Sequence, residues 1–444
     1  MSAPTEVGPL SLPSPSNWER IESSDNVVVL AAPEVPKARF RPNIVLTTAL
    51  AEAPLHVVSS NAIASILALQ PRAQVFAVEQ NDLDDVLGVP SRTVEWGYEA
   101  EHTTVLVRQW IAVIGRHQVH VTGSCAVEEF IDFVPFFRSV LAAASIADTG
   151  ADDDDDPSTG RIDHSDVPED SPSASPRIDP GASDRIRATL EALDGVVLAQ
   201  PRPVGRWMLS DEALQHLWSL RGRGIISRGK RRSPEGVELA EAGLTGALGA
   251  LVGDGQRIAN LLERPGYRYG AAADHAGRSV EWSMWLGGDT ALVRARGNVA
   301  DLVDDRLRDD TIAQYDVVPA GRAVGHLLAW ARVSPAWAIA SDDELVLPAQ
   351  VVDARIASVG MPDGAAPISG FVADRLWREP VWIRLRVWGD RTPYGLDVIA
   401  AGAAGWFRRD VLDDGRVRLE PMPSGSVLRS VLAVFSAPDG SKAQ

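Results

Sequence analysis

Residues 261–297 read LLERPGYRYGAAADHAGRSVEWSMWLGGDTALVRARG, and residues 375–422 read RLWREPVWIRLRVWGDRTPYGLDVIAAGAAGWFRRDVLDDGRVRLEPM. Each stretch opens with the end of a helix and a proline, Leu262 to Pro265 and Leu376 to Pro380. Each continues as a strand, a Gly turn, a second strand, another turn and a third strand. Gly287-Gly288 followed by Asp289 is a hairpin turn and not a nucleotide loop. Each stretch closes with a helix, near Val299 to Leu307 and near Ser426 to Phe435. The likeness lies in element order and punctuation, with little residue identity. An internal duplication over about 255–310 and 370–436 accounts for it, and two coincidental β-meanders are the alternative. Paired about a pseudo-twofold axis, the two meanders predict one antiparallel sheet of about six strands flanked by helices.

Upstream of the first copy, Asp184 to Leu193 has helical spacing through Ile186, Leu190 and Leu193. Ser210 is a predicted N-cap, with Asp211 and Glu212 in a first turn that favours negative charge. Ser233-Pro234-Glu235 is a second helix start, with proline at the first helical position. A Gly-rich helical stretch through Leu239, Leu244, Leu248 and Leu251 is expected next. The second unit therefore spans 185–438.

Residues 148–184 hold Asp152 to Asp156 in a row, and twelve acidic against two basic side chains. Such a segment buries too little apolar surface to offset its ordering entropy, so a disordered acidic linker is expected. Calcium is rejected there, because its loops alternate oxygen ligands around a Gly turn. The linker carries more than half of the chain's net charge of −17. That acidity argues against nucleic-acid binding and against adsorption to anionic membranes. The single Cys125 fits a reducing compartment. Residues 1–16 show no secretory pattern and are expected to be disordered, and no apolar run reaches the length of a membrane span. A cytoplasmic location follows as an expectation.

Residues 17–147 read as a first unit of α+β class. Predicted strands are Asn26 to Ala31, Phe40 to Thr47, Ala73 to Glu79, Arg92 to Tyr98, Thr103 to Ile114 and Gln118 to Thr122. Helices are expected at Ser59 to Gln70 and at Glu128 to Leu141, the latter with a stripe of Phe130, Phe133 and Phe137. This order predicts an antiparallel sheet with packed helices. The run FRPNIVLT, a helix, VEWGYE, a long strand containing Gln109, VHVTGS and a closing Phe-rich helix resemble the LpqN-type lipoproteins of actinobacteria, within the PsbP-like fold. That fold implies binding or assembly rather than catalysis. The family's lipidated cysteine is missing here, so membrane anchoring is not carried over.

The second unit is similar to the EspG-type chaperones of type VII secretion. The resemblance rests on LSDEALQHLW, the EWSMWLGGD unit, the VADLVDDRL helix and the repeat. It implies a quasi-twofold sheet with helical sub-domains, and partners that are small helical secretion substrates of the PE, PPE or WXG type.

No catalytic, cofactor or metal site is expected. Gly224 to Lys230 fits GxxxxGK, but Arg231 stands where a phosphate loop needs Ser or Thr, and no apolar strand precedes it. His117 and His120 lie three apart beside a strand and point to opposite faces, and His102 adds no supporting spacing. Cys125 reads as a buried, inert thiol, and Asp274-His275 as a solvated turn. Two surfaces are candidates for partner contact. One is the basic run Arg221, Arg223, Arg228, Lys230, Arg231 and Arg232, read either as a solvated loop or as a dock for an acidic segment. The other is the alternating face Trp382, Arg384, Arg386 and Trp388, which is either covered by a helix or offered to a partner. A non-enzymatic chaperone or accessory factor of type VII secretion is the leading expectation. The alternatives are a structural scaffold unrelated to secretion and an enzyme of unfamiliar type.

Overall fold

The computed structural model describes residues 5–24, 26–35, 39–70, 72–80, 88–146, 189–203, 205–304, 312–338, 345–362 and 364–436. The acidic segment 148–184 lies outside the described residues.

The chain begins with a hairpin, β1 (Thr5–Val7) and β2 (Leu10–Leu12). This corrects the expectation of disorder over 1–16. Val7, Leu10 and Leu12 alternate with polar residues and turn inward, to 2% exposure or less. Seven strands then form one sheet. They are β3 (Glu19–Ser23), β4 (Val27–Ala31), β5 (Asn43–Leu50), β6 (Gln74–Gln80), β7 (Ser91–Glu99), β8 (Thr104–Ile114) and β9 (His117–Ala126). Their order is β3-β4-β5-β9-β8-β7-β6, antiparallel throughout. Six of the seven fall on predicted strands; β3 lacks apolar alternation and escaped notice. α1 (Leu55–Leu69) packs on one face through Val58, Ile63 and Ile66. α2 (Phe130–Ala142) packs on the other through Phe130, Val134 and Phe137. A two-residue strand, β10 (Ser145–Ile146), returns to β2.

Of the predicted helix at Asp184 to Leu193, residues 184–188 lie outside the described residues. Described residues 189–193 are not helical, and α3 (Asp194–Ala199) follows them. Next come the strand β11 (Trp207–Ser210) and four helices: α4 (Asp211–Ser219), α5 (Arg228–Arg231), α6 (Pro234–Glu241) and α7 (Asp254–Glu263). Both predicted caps form: Ser210 Oγ accepts from Ala213 N at 3.1 Å, and Ser233 Oγ from Gly236 N at 3.2 Å. The expected helical stretch through Leu244, Leu248 and Leu251 is instead a series of turns, because Gly243 and Gly249 adopt positive φ after α6.

The second sheet is larger than expected, with ten strands rather than six. Its first half is β11 with β12 (Tyr267–His275), β13 (Arg278–Gly287), β14 (Thr290–Arg296) and β15 (Ile312–Pro319). α8 (Val299–Val303) lies between the last two, started by an Asn298–Asp301 capping box. α9 (Ala320–Ala331) closes this half. The second half repeats the plan. An edge strand, β16 (Leu345–Pro348), leads directly into α10 (Ala349–Ala357) and then α11 (Phe371–Arg378). A four-stranded meander follows, β17 (Ile383–Gly389), β18 (Thr392–Ala400), β19 (Trp406–Val411) and β20 (Arg416–Met422), closed by α12 (Ser424–Ser436). The sheet order is β11-β15-β14-β13-β12-β17-β18-β19-β20-β16. The two halves thus meet at the β12–β17 pair, where Ala272 stands opposite Arg386.

α9 and α12 lie between the two sheets. α9 packs on β7 and β8 of the first sheet and on β13 to β15 of the second; α12 packs on β6 and on β17 and β18. One apolar cluster accordingly runs from Leu106 and Phe130 to Leu327 and Val431. α9 comes close because Gly321 and Gly325 face the start of β8: a Cβ on Gly325 would stand 2.2 Å from Thr104 Oγ1. At α12, Gly425 N donates to the Glu79 carboxylate at 2.9 Å, and Arg429 donates to Glu95 at 3.1 Å. Glu95 also pairs with Arg108, and both are buried to within 1%. On the other face of the first sheet, Arg92 donates to Glu191 at 3.0 Å, again with both side chains buried.

His326 of α9 sits in the same interface. Its Nδ1 accepts from Trp282 Nε1 at 3.3 Å, and Glu99 and Arg322 lie close by. Burial pushes its pKa from the ordinary 6.5 down to about 4. Above pH 6.5 the ring is neutral folded or unfolded, and its contribution to stability is intact. As pH falls from 6.5 to 4, the unfolded chain takes up a proton that the fold refuses. Stability should therefore drop by up to roughly 3 kcal/mol across that window. Chemical unfolding at a series of pH values should show a smaller drop for His326→Gln than for the unaltered chain; equal slopes would refute the assignment.

Among the described residues no helix is long and apolar enough to cross a membrane.

Candidate protein-binding surface

The face of the ten-stranded sheet turned away from the first unit carries two helical lobes. One is α4, α6 and α7, packed through Leu217, Leu239 and Ile258 on Leu292, Ala313 and Tyr315. The other is α10 and α11, packed through Val352, Ile356 and Leu376 on Ile399, Phe407 and Leu419. Strand side chains alternate between faces, so the same face of the central strands is presented by Arg268, Gly270, Ala272 and Asp274 of β12, by Glu281, Ser283 and Trp285 of β13, and by Arg384, Arg386 and Trp388 of β17.

Most charges on this floor are paired within the fold. Arg384 grips Asp397 through two bonds, of 3.0 and 2.6 Å, and Arg386 donates to Asp274 at 2.8 Å. The hydrogen bond to Asp397, acting against burial, raises the Arg384 pKa above its ordinary value. Arg409 bridges Asp397 and Asp353, each at 3.3 Å. In the other half, Arg294 and Arg296 share Asp211. Burial pushes the Asp211 carboxyl up, but the hydrogen bonds and charges of the two arginines outweigh it and hold the pKa below the usual range.

Of the alternating face Trp382, Arg384, Arg386 and Trp388, the arginines have partners within the fold and the two tryptophans differ. Arg384 and Arg386 each donate to a neighbouring carboxylate. Trp382 precedes β17 and is fully buried. Its Nε1 donates to Leu376 O at 3.0 Å, Trp377 meets it edge-on, and the Arg355 guanidinium lies 5.4 Å from its ring. Trp388, by contrast, is 48% exposed and lies over Gly270, where a Cβ would come within 2.5 Å of the indole.

Near the Gly270–Trp388 pair, sheet and helical lobe bring distant side chains together. A shallow hollow of about 380 Å³ is lined by Leu214, Gln215, Trp218, Leu262, Arg268 and Trp285. Arg268 stands opposite Trp285 in register, and Gly270, two residues on, stands opposite Trp388. One sign was legible: Trp282 and Trp285 are three apart in a strand, so only one of them can face the core. Trp282 is the buried one.

The basic run lies on the neighbouring lobe. Arg221 stacks on Trp218 at 4.2 Å and pairs with Glu263 at 3.4 Å. Arg231 donates to Ala247 O at 2.9 Å. Arg223, Arg228, Lys230 and Arg232 are exposed. Arg228, Arg231 and Arg232 line a cleft of about 290 Å³ with His216 and the glycines Gly236, Gly246 and Gly249. The GxxxxGK run becomes a bend and the four-residue α5, without a preceding strand.

Asp274-His275 ends β12 instead of forming a solvated turn. His275 is 5% exposed, and its Nδ1 bonds Trp382 O at 2.9 Å. His120 Nδ1 bonds Gln109 at 2.9 Å. Cys125 is fully buried, and burial, with Glu129 and Glu128 nearby, pushes its thiol pKa up. Among the described residues no three His, Cys, Asp or Glu side chains converge as metal ligands would.

No family model matches the chain, and no curated protein matches it. Solved structures similar to part of it include LpqN of Mycobacterium tuberculosis, involved in cell envelope biogenesis. It is 17% identical over 33% of this chain and 84% of its own, with a TM-score of 0.25. PsbP of Synechocystis sp. PCC 6803 is 13% identical over 31% of this chain and 86% of its own, also at 0.25. PA94 of Pseudomonas aeruginosa is 12% identical over 32% and 93%, at 0.24.

Proposed function

We propose that the protein is a non-enzymatic, cytoplasmic binding factor, a chaperone or accessory protein of an actinobacterial type VII secretion system. Its partners are small helical substrates of the PE, PPE or WXG type. The observation that carries this reading is the surface around Trp388. Exposed Trp388 lies on the open sheet face near a hollow lined by Arg268 and Trp285 of the sheet and by Leu214, exposed Trp218 and Leu262 of the helical lobe. Clustered tryptophan and arginine anchors on a polar rim suit the apolar stripe of an amphipathic helix. The quasi-twofold order of the ten strands accords with the resemblance to EspG-type chaperones. The exposed Arg223, Arg228, Lys230 and Arg232 would steer an acidic partner and give the association rate its salt dependence.

Affinity capture from the native cytoplasm, followed by calorimetry with the recovered partner, tests the proposal. A helical secretion substrate should be recovered. Trp388→Ala should weaken its binding by roughly thirtyfold, as expected for a hot-spot aromatic. Charge reversal at Arg228, Lys230 and Arg232 should slow association and flatten its salt dependence. Recovery of no such substrate by the folded protein would overturn the reading and leave the scaffold alternative.

A further inference from the structure

An apolar cavity of about 350 Å³ lies on the opposite face of the ten-stranded sheet, beside residues 191–198. Ile383 and Leu385 of β17, Ala400 of β18 and Trp406 of β19 floor it; α3 and α8 form its sides. Its volume is about twice the ~150 Å³ of an engineered core cavity that admits benzene, and it falls within the range of small-molecule sites. Leu198 and Val303, on its lining, are 77% and 46% exposed. Apolar side chains left in water at the edge of an apolar hollow mark a place where an apolar ligand gains contact.

One end of the cavity is charged. Arg332 is in the left-handed region, with φ 52°, an uncommon conformation for a residue with a Cβ. That conformation ends α9 and turns the side chain toward α3, where Nη2 donates to Val197 O at 2.9 Å. Its Nε is buried and has no partner among the described residues. The nearby carboxylate, Asp304, is taken by Arg202 at 2.5 Å. Glu191, also on the lining, is taken by Arg92. Asp194 lies at the exposed start of α3 and is not among the charges that act on Arg332. Burial, and then Arg202, lower the pKa of the Arg332 guanidinium, while Asp304 raises it.

We propose that this cavity binds a free medium-chain fatty acid, its alkyl chain on Ile383, Leu385 and Trp406 and its carboxylate on Arg332. The site lies on the face opposite Trp388, so it stands or falls independently of partner binding. A carboxylate against the half-buried Arg332 guanidinium gains charge-assisted bonds, and the chain replaces water on the apolar floor.

Calorimetry on the full chain with octanoate, decanoate and dodecanoate, below their micellar concentrations, tests the site. Affinity should rise about fourfold per added methylene until the cavity is full. Decanoate should bind at least about tenfold tighter than decanol, the gain of a hydrogen bond to a charged group. Arg332→Gln should bring acid and alcohol together, and Arg332→Lys should restore part of the difference. Val303→Trp, a change at a half-exposed position, should narrow the entrance and weaken every ligand about tenfold with the unfolding midpoint unchanged. Equal binding of acid and alcohol by the unaltered protein would overturn the proposal. So would unchanged affinity in Val303→Trp, or no saturable binding because the chain's own residues fill the cavity.

Discussion

Glu95→Ala is expected to destabilise the folded chain by about 3–5 kcal/mol, the range for removing one partner of a buried ion pair. Glu95 is fully buried, and it receives both Arg108, itself 1% exposed, and Arg429 of α12. Removing the carboxylate strands the Arg108 guanidinium away from water. Burial already lowers the Arg108 pKa, and Glu95 is the first charge that opposes this. The same change loosens α12 from the first sheet, because Arg429 loses its anchor while Gly425 keeps only Glu79. Urea unfolding followed by tryptophan fluorescence should show a lower midpoint. Adding Arg108→Met to Glu95→Leu should recover most of the loss, since a well-packed apolar pair can replace a buried ion pair. A loss below about 1 kcal/mol for Glu95→Ala would mean that water reaches Arg108.

Trp382→Ala and Trp388→Ala should part company. The first empties a core position and should cost about 3–5 kcal/mol, the range for buried aromatic side chains. It also leaves Leu376 O without its indole donor and removes the ring between Trp377 and Arg355. Trp388→Ala removes a half-exposed side chain and should cost no more than about 1 kcal/mol. Its effect should appear in partner affinity. Comparable losses of stability in both variants would show that Trp388 is a packing residue like Trp382, and the surface around it would lose its claim.

The contrast between these two tryptophans marks how far the chain could be read directly. Their spacing placed them on one strand face with Arg384 and Arg386, and for Arg384, Arg386 and Trp388 that alternation holds in β17. Trp382 departs because it lies just before the strand, where α10 and α11 cover it. Those helices sit there because β16, four residues long and too short for an alternating signal, pairs with β20 some seventy positions later. β11 is equally short and pairs with β15 more than a hundred positions on. These two edge strands of the second sheet therefore follow from non-local pairing, which no window of neighbouring residues contains.

Local chemistry did determine much. Helix starts at Ser210 and Ser233 follow from hydroxyls that reach their own backbone three residues on, and most strands of the first sheet follow from period-two alternation. The repeat of meander and closing helix was visible as punctuation in 261–297 and 375–422. By contrast, the ion pairs that lock the first sheet to α12, the hollow between Trp218 and Trp285 and the cavity beside Arg332 join residues up to hundreds of positions apart. Local patterns decide which elements form, because turns, caps and alternation act between neighbours. Burial and charge pairing decide what those elements present, and both depend on which distant strand or helix arrives alongside.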